Sequence, residues 1–175
     1  MIISKHIRNM EWIGNFNKDL SKDLNDLVMI TEGQARPGDW KPVNEVEKAL
    51  WEKGKSALDF SKTMWYVYEQ QDLQVDLKFP WTEGKCHWWI TKLLPGQMMP
   101  MHTDPHTHDD QNCKRYWVPL QDYVPGHVFI YNNVMVSDYK RGDVFQYSHS
   151  QDEHGAANLS FVPRIVLQVT EYPCH

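Results

Sequence analysis

The sequence predicts a mainly β (α+β) fold, a jelly roll with supporting helices near its N-terminus. Two observations carry that prediction. From about residue 85 onward, short runs rich in Val, Ile and aromatic residues recur, each bounded by turn-forming residues. Before that point the texture differs, with leucines at helical spacing. The eight Trp and eight Tyr suit strands, sheet cores and ring-lined pockets.

In NFNKDLSKDLNDLVMI, Leu20, Leu24 and Leu27 recur at steps of four and three, one face of a helix. TEGQARPGDWKP is a loop by its Gly and Pro content. A second helix is expected over VNEVEKALWEKGKSALDF, with Asn44 as N-cap and an apolar stripe through Val46, Leu50, Trp51, Ala57 and Leu58. The strand candidates then follow in order: CHWWITKLL, MPMHTD, RYWVPLQ, HVFIYNN, VMVSDY, VFQYSH, HGAANLS and RIVLQVTEY. Pro95-Gly96 and Pro125-Gly126 suit the central pair of type II turns. About eight strands at this spacing make an antiparallel sandwich or jelly roll. One domain, 1–175, is expected: 1–80 mostly helical support, 85–172 the β core.

Composition narrows the function. The net charge of -5 and the lack of a Lys/Arg block disfavour nucleic acid as a partner. No run of about 18 apolar residues occurs, so no membrane helix is expected. Cys86, Cys113 and Cys174 are odd in number and widely spaced, which suggests neither a disulfide framework nor a thiolate zinc site. The N-terminus carries no signal-like apolar stretch, and the chain reads as cytoplasmic.

The densest chemistry lies in MHTDPHTHDD. On a helix, His102 and His106 would share a face, but Pro105 between them breaks the helix. On a strand, His102 and Asp104 point the same way, about 6.6 Å apart. Two ligands are too few, and His154, some fifty residues on, is the third candidate. Two imidazoles and one carboxylate on one face of a small barrel form a facial triad suited to non-haem Fe(II), with open positions for reactants. Arg164 heads the apolar strand RIVLQVTEY. A charge aimed into a barrel needs a partner, here the carboxylate of a bound acid; pairing with Asp or Glu at the rim is the alternative.

The strings LLPGQMMPMHTD, RYWVPLQ, KRGDVFQY and HGAANLSFVPR resemble the Fe(II)/2-oxoglutarate-dependent dioxygenases, whose fold is the cupin-like double-stranded β-helix. The nearest branch is that of the aspartyl/asparaginyl β-hydroxylases and free-proline hydroxylases. The resemblance spans roughly residues 85–172. It implies that His102, Asp104 and His154 bind iron and that Arg164 binds the distal carboxylate of 2-oxoglutarate. It also gives Arg115 a part in holding cosubstrate or substrate, while Trp117 stands where the branch has histidine. Asn158, four residues beyond His154, is either a cosubstrate neighbour or a turn former.

The activity implied is oxidative decarboxylation of 2-oxoglutarate, with O2, coupled to hydroxylation of a C–H bond in a free or peptidyl amino acid. Trp89, Tyr116, Trp117, Phe129 and Tyr131 are candidate pocket walls, and His106 and His108 fall in a polar loop over the barrel mouth. His127 and His149, within strands, are expected to be structural. Two rival readings remain: a cupin-like metalloenzyme that ignores 2-oxoglutarate, and a non-catalytic jelly-roll binding module.

Overall fold

A computed structural model describes residues 6–7, 10–20, 24–30, 34–37, 64–103, 113–147 and 152–172. Strands β1 (His6–Ile7), β2 (Met10–Asn15), β3 (Gln34–Pro37) and β4 (Met64–Glu69) precede β5 (Lys85–Leu93), β6 (Met98–His102) and β7 (Lys114–Pro119). Then come β8 (His127–Tyr131), β9 (Val134–Met135), β10 (Asp143–Tyr147), β11 (His154–Asn158) and β12 (Arg164–Tyr172). All eight strand candidates from residue 85 onward are strands.

The strands form two antiparallel sheets, the architecture of a jelly roll. The larger runs β1-β2-β10-β7-β12-β5-β4-β3 and the smaller β6-β11-β8-β9. Residues of β12 alternate between two apolar clusters, as period-2 geometry requires. Ile165, Leu167 and Val169 face outward with Trp88, Ile90, Tyr116 and Val118. Val166 faces the smaller sheet with Trp117, Phe129, Tyr131, Phe145, Tyr147 and Ala156.

A helix covers the outward cluster. α1 (Leu24–Ile30) buries Leu24 and Val28 there, and Leu20 just ahead of it joins them, as the leucine spacing predicts. Lys92 of β5 fastens the helix: its Nζ donates to the Val28 carbonyl at 2.9 Å and stands 4.9 Å from the Tyr68 ring. A cation is favoured at a helix C-terminus because the last carbonyls lack partners.

Among the described residues the N-terminal part contains strands as well as helix. β1 to β4 lie there and extend the large sheet, and the described helical segments are α1, a 3-10 turn at Asn17–Asp19 and α2 (Gln70–Leu73). MWYVYE at 64–69, where helical signals were read, pairs with β5 (Tyr66↔Lys92, Tyr68↔Ile90). Its run of aromatic and branched residues fits a half-buried strand better than a helix. The second expected helix lies outside the described residues. Both Pro-Gly turns form, with Gly96 at φ 82° and Gly126 at φ 98°.

At its far end β12 is stapled to the loop before β5. Glu171 accepts the backbone N–H of Glu83 (2.7 Å) and Gly84 (2.8 Å) and the Tyr116 hydroxyl (2.6 Å). Burial alone would raise its carboxyl; these hydrogen bonds and the Lys114 charge outweigh burial and hold it below the usual carboxylate range. The folded state therefore favours the ionised form. Its stabilisation is complete above the unfolded value of about 4.3 and is lost as pH falls through the depressed folded value. Glu171→Gln is expected to cost about 1–3 kcal/mol at pH 7. Urea unfolding at pH 7 and at progressively lower pH should show the gap to wild type closing with acid.

Candidate metal and carboxylate site

Two of the three proposed iron ligands meet across a strand pair. His154 of β11 is the direct register partner of His102 of β6, and their ring centroids are 4.4 Å apart. A register shift between His154 and Ala156 lies beside them. Such an irregularity bends a strand and re-aims its side chains. Gly155 makes it feasible, because a Cβ there would lie 2.8 Å from Met101 Sδ and 3.1 Å from Met101 Cα. The small residue after His154 is what lets β6 come this close.

The two rings are oriented alike. His102 Nδ1 is 2.7 Å from the Pro100 carbonyl, and His154 Nδ1 is 3.1 Å from that of Asp152. A carbonyl only accepts, so each Nδ1 carries a proton, and it is the neutral ring's Nε2 that has a lone pair to give. Metal-binding histidines are held in this way, one nitrogen on a backbone carbonyl and the other offered to the ion. The Asp152 side chain steadies the same segment by accepting from the Tyr131 hydroxyl and from Asn132 Nδ2. Burial, then Asp152, pushes the Tyr131 phenol well above its ordinary value, so it stays a neutral donor. Asp104, His106 and His108 lie outside the described residues, as does His149. Among the described residues no cluster of three or more His, Cys, Asp or Glu forms a metal site.

Arg164 enters the same interior from β12. It is 3 % exposed, and its Cζ lies 5.5 Å from the Phe129 ring and 5.7 Å from the Trp117 ring. Those rings stack with centroids 4.6 Å apart and planes 5° from parallel, one from each sheet. Phe129 is in turn 6.4 Å from the His154 ring, so a single side chain separates guanidinium from imidazole. Tyr139 hydrogen-bonds Arg164. Its Nε and Nη2 are buried with no hydrogen-bond partner among the described residues. These two nitrogens form one edge of the guanidinium, the fork that takes a carboxylate side-on.

The remaining assignments divide. Arg115 is buried on the interior face of β7, opposite Tyr147 and close enough to Tyr131 to act on its phenol. Asn158 is fully occupied by its own loop. Its Nδ2 donates to the carbonyls of Leu93 (2.9 Å) and Val162 (2.8 Å), and its Oδ1 accepts from Ser160 N (2.9 Å) and Oγ (2.7 Å). These four bonds use both amide protons and both acceptor positions of Asn158, as a turn former's would be used. Of the candidate walls, Trp117, Phe129 and Tyr131 line the interior, whereas Tyr116 belongs to the outward cluster under the helix. Tyr139 was missed in the sequence because nothing local marks a tyrosine that will meet an arginine 25 positions on.

No protein-family model and no curated protein matches the sequence. Solved structures with a similar chain path include a predicted oxalate decarboxylase from Thermotoga maritima (19% identity, TM-score 0.40), where the match spans 63% of this chain and 82% of that one. Another is the cupin domain of an XRE-family transcriptional regulator from Enterobacter cloacae (18%, 0.41; 63% and 98%). A third is a non-heme monooxygenase, the ThoJ–nickel complex (15%, 0.41; 51% and 43%).

A guanidinium buried with two idle donors is a cost to the ligand-free fold. Arg164→Met, which keeps length and fills similar space, is expected to stabilise the ligand-free protein by about 1–3 kcal/mol. Chemical denaturation measures this. A loss of stability instead would make Arg164 a structural residue.

Proposed function

We propose that the chain is an Fe(II)- and 2-oxoglutarate-dependent oxygenase that hydroxylates a C–H bond of a free or peptidyl amino acid. One observation carries the reading: a buried arginine whose Nε and Nη2 have no hydrogen-bond partner among the described residues shares one interior with two histidines whose Nδ1 atoms are fixed on backbone carbonyls. A rim arginine paired with Asp or Glu, the structural alternative, would be exposed; Arg164 is buried, and among the described residues its Nε and Nη2 have no hydrogen-bond partner.

The donor set fits the group. His102 and His154 supply imidazole Nε2, and Asp104, two residues after His102 on the chain, supplies the hard oxygen ligand of a facial triad. Ferrous iron with 2-oxoglutarate supplies oxidative decarboxylation coupled to oxygen insertion from O2. The chain's own task is to bind, orient and exclude water. Arg164 clamps the distal carboxylate, fixing how far the cosubstrate reaches toward the histidines. Trp117 and Phe129 pack beside the guanidinium, within reach of a cation–π attraction. Arg115, opposite Tyr147 and near Tyr131, has the role of helping to hold cosubstrate or substrate in this reading.

The test is direct. Purified protein with Fe(II) should release succinate from 2-oxoglutarate. His102→Ala and His154→Ala should abolish Mn(II) binding while circular dichroism stays unchanged. Arg164→Met should keep metal affinity and raise the Kd for 2-oxoglutarate by about a hundredfold, since a charged bidentate contact is worth roughly 2–3 kcal/mol. Iron binding with indifference to 2-oxoglutarate would favour a cupin-like metalloenzyme. Absence of both would leave a binding module.

A further inference from the structure

One buried titratable group in the interior is unused by this reading. His127 opens β8, on the same face as Phe129 and Tyr131, and is 0 % exposed. Its Nε2 lies 3.3 Å from the Val162 carbonyl, so that nitrogen carries the proton. Its Nδ1 is buried with no hydrogen-bond partner among the described residues. Leaving such an atom bare is costly, and native interiors rarely do so without a reason. Among the described residues three interior nitrogens therefore lack a hydrogen-bond partner: Arg164 Nε, Arg164 Nη2 and His127 Nδ1.

The groups around His127 are few. Asn158 of β11 is its register partner and is neutral; Ser160 shares the Val162 carbonyl; Arg164 of β12, bonded to Tyr139, is the charged group acting on it. Burial first, and then the Arg164 cation, hold the His127 imidazole below its ordinary value, with the Val162 bond opposing them in part. Both effects favour the neutral imidazole in the ligand-free site.

We propose that His127 and Arg164 together form the carboxylate subsite, and that a carboxylate entering it brings a solvent proton onto His127 Nδ1. The inference rests on the reading that Arg164 holds the cosubstrate's distal carboxylate. An anion on the fork cancels the cation that disfavours a charged imidazole and offers an oxygen to the new N–H. One proton moves from water to Nδ1, with no other bond made or broken. The site then reads a carboxylate together with pH, unlike a subsite built from arginine and hydroxyls alone. Affinity falls as pH rises between the free-state and bound-state values of His127, because binding must then draw a proton from an ever scarcer supply.

The experiment is calorimetric titration of 2-oxoglutarate into the Mn(II)-loaded full chain, in buffers of different ionisation enthalpy, from pH 6 to 8.5. Wild type should take up close to one proton at some point in that range, with Kd rising by up to about tenfold per pH unit. His127→Gln, which keeps a donor toward Val162 but cannot titrate, should bind more weakly at pH 6 with a flat profile. His127→Asn serves if the glutamine variant does not fold, and the wild-type proton count needs no variant. Binding without proton uptake, or a variant with the wild-type profile, overturns the role of His127 and leaves Arg164 untouched. If Arg164→Met binds 2-oxoglutarate as wild type does, the premise fails and this inference with it.

Discussion

The interior depends on one contact: the face-to-face stack of Trp117 and Phe129, 4.6 Å apart, which joins the two sheets at their centre. Offset stacks of this kind add about 0.5–1.5 kcal/mol to what area burial supplies. Here the stack also defines where everything else can stand. Arg164 lies over both rings, Tyr139 and Phe145 pack against Trp117, and His154 meets Phe129 near its edge. The Trp117 indole thus helps shape the guanidinium's seat.

Around that centre the fold separates stability from chemistry by sheet face. The outward face of the large sheet carries the apolar load with α1, Lys92 and the Glu171 staple. The inward face carries two buried arginines and two buried histidines, and among the described residues Arg164 Nε, Arg164 Nη2 and His127 Nδ1 lack hydrogen-bond partners there. Because a strand alternates strictly, β12 can serve both: Ile165, Leu167 and Val169 hold the helix side while Arg164 and Val166 look inward. Exposed apolar side chains collect on the neighbouring loop, where Leu159 and Phe161 are 72% and 99% exposed on a segment pinned by Asn158.

The core strands were legible because each is short, rich in branched and aromatic residues and closed by a turn residue with a physical reason to be there. Gly96 and Gly126 occupy positive φ as a type II turn demands. Asn132 and Asn133 do the same between β8 and β9, the two-residue arrangement that suits strand twist. The N-terminal strands were not legible. MEWIGN and MWYVYE are too short for periodicity to separate strand from helix, and their state is set by the open edges of the large sheet that they complete.

Taken alone, the sequence determined the class of fold and which residues of the last strand share a face with Arg164, because those follow from turn chemistry and period-2 alternation. Tertiary structure alone decided that Asn158 is consumed by its own loop, that Tyr139 reaches Arg164 and that His127 keeps one nitrogen bare. Hydrogen-bond satisfaction is a property of neighbours brought together from distant parts of the chain. Local pattern cannot encode it, since a donor's partner is known only once the sheets have closed.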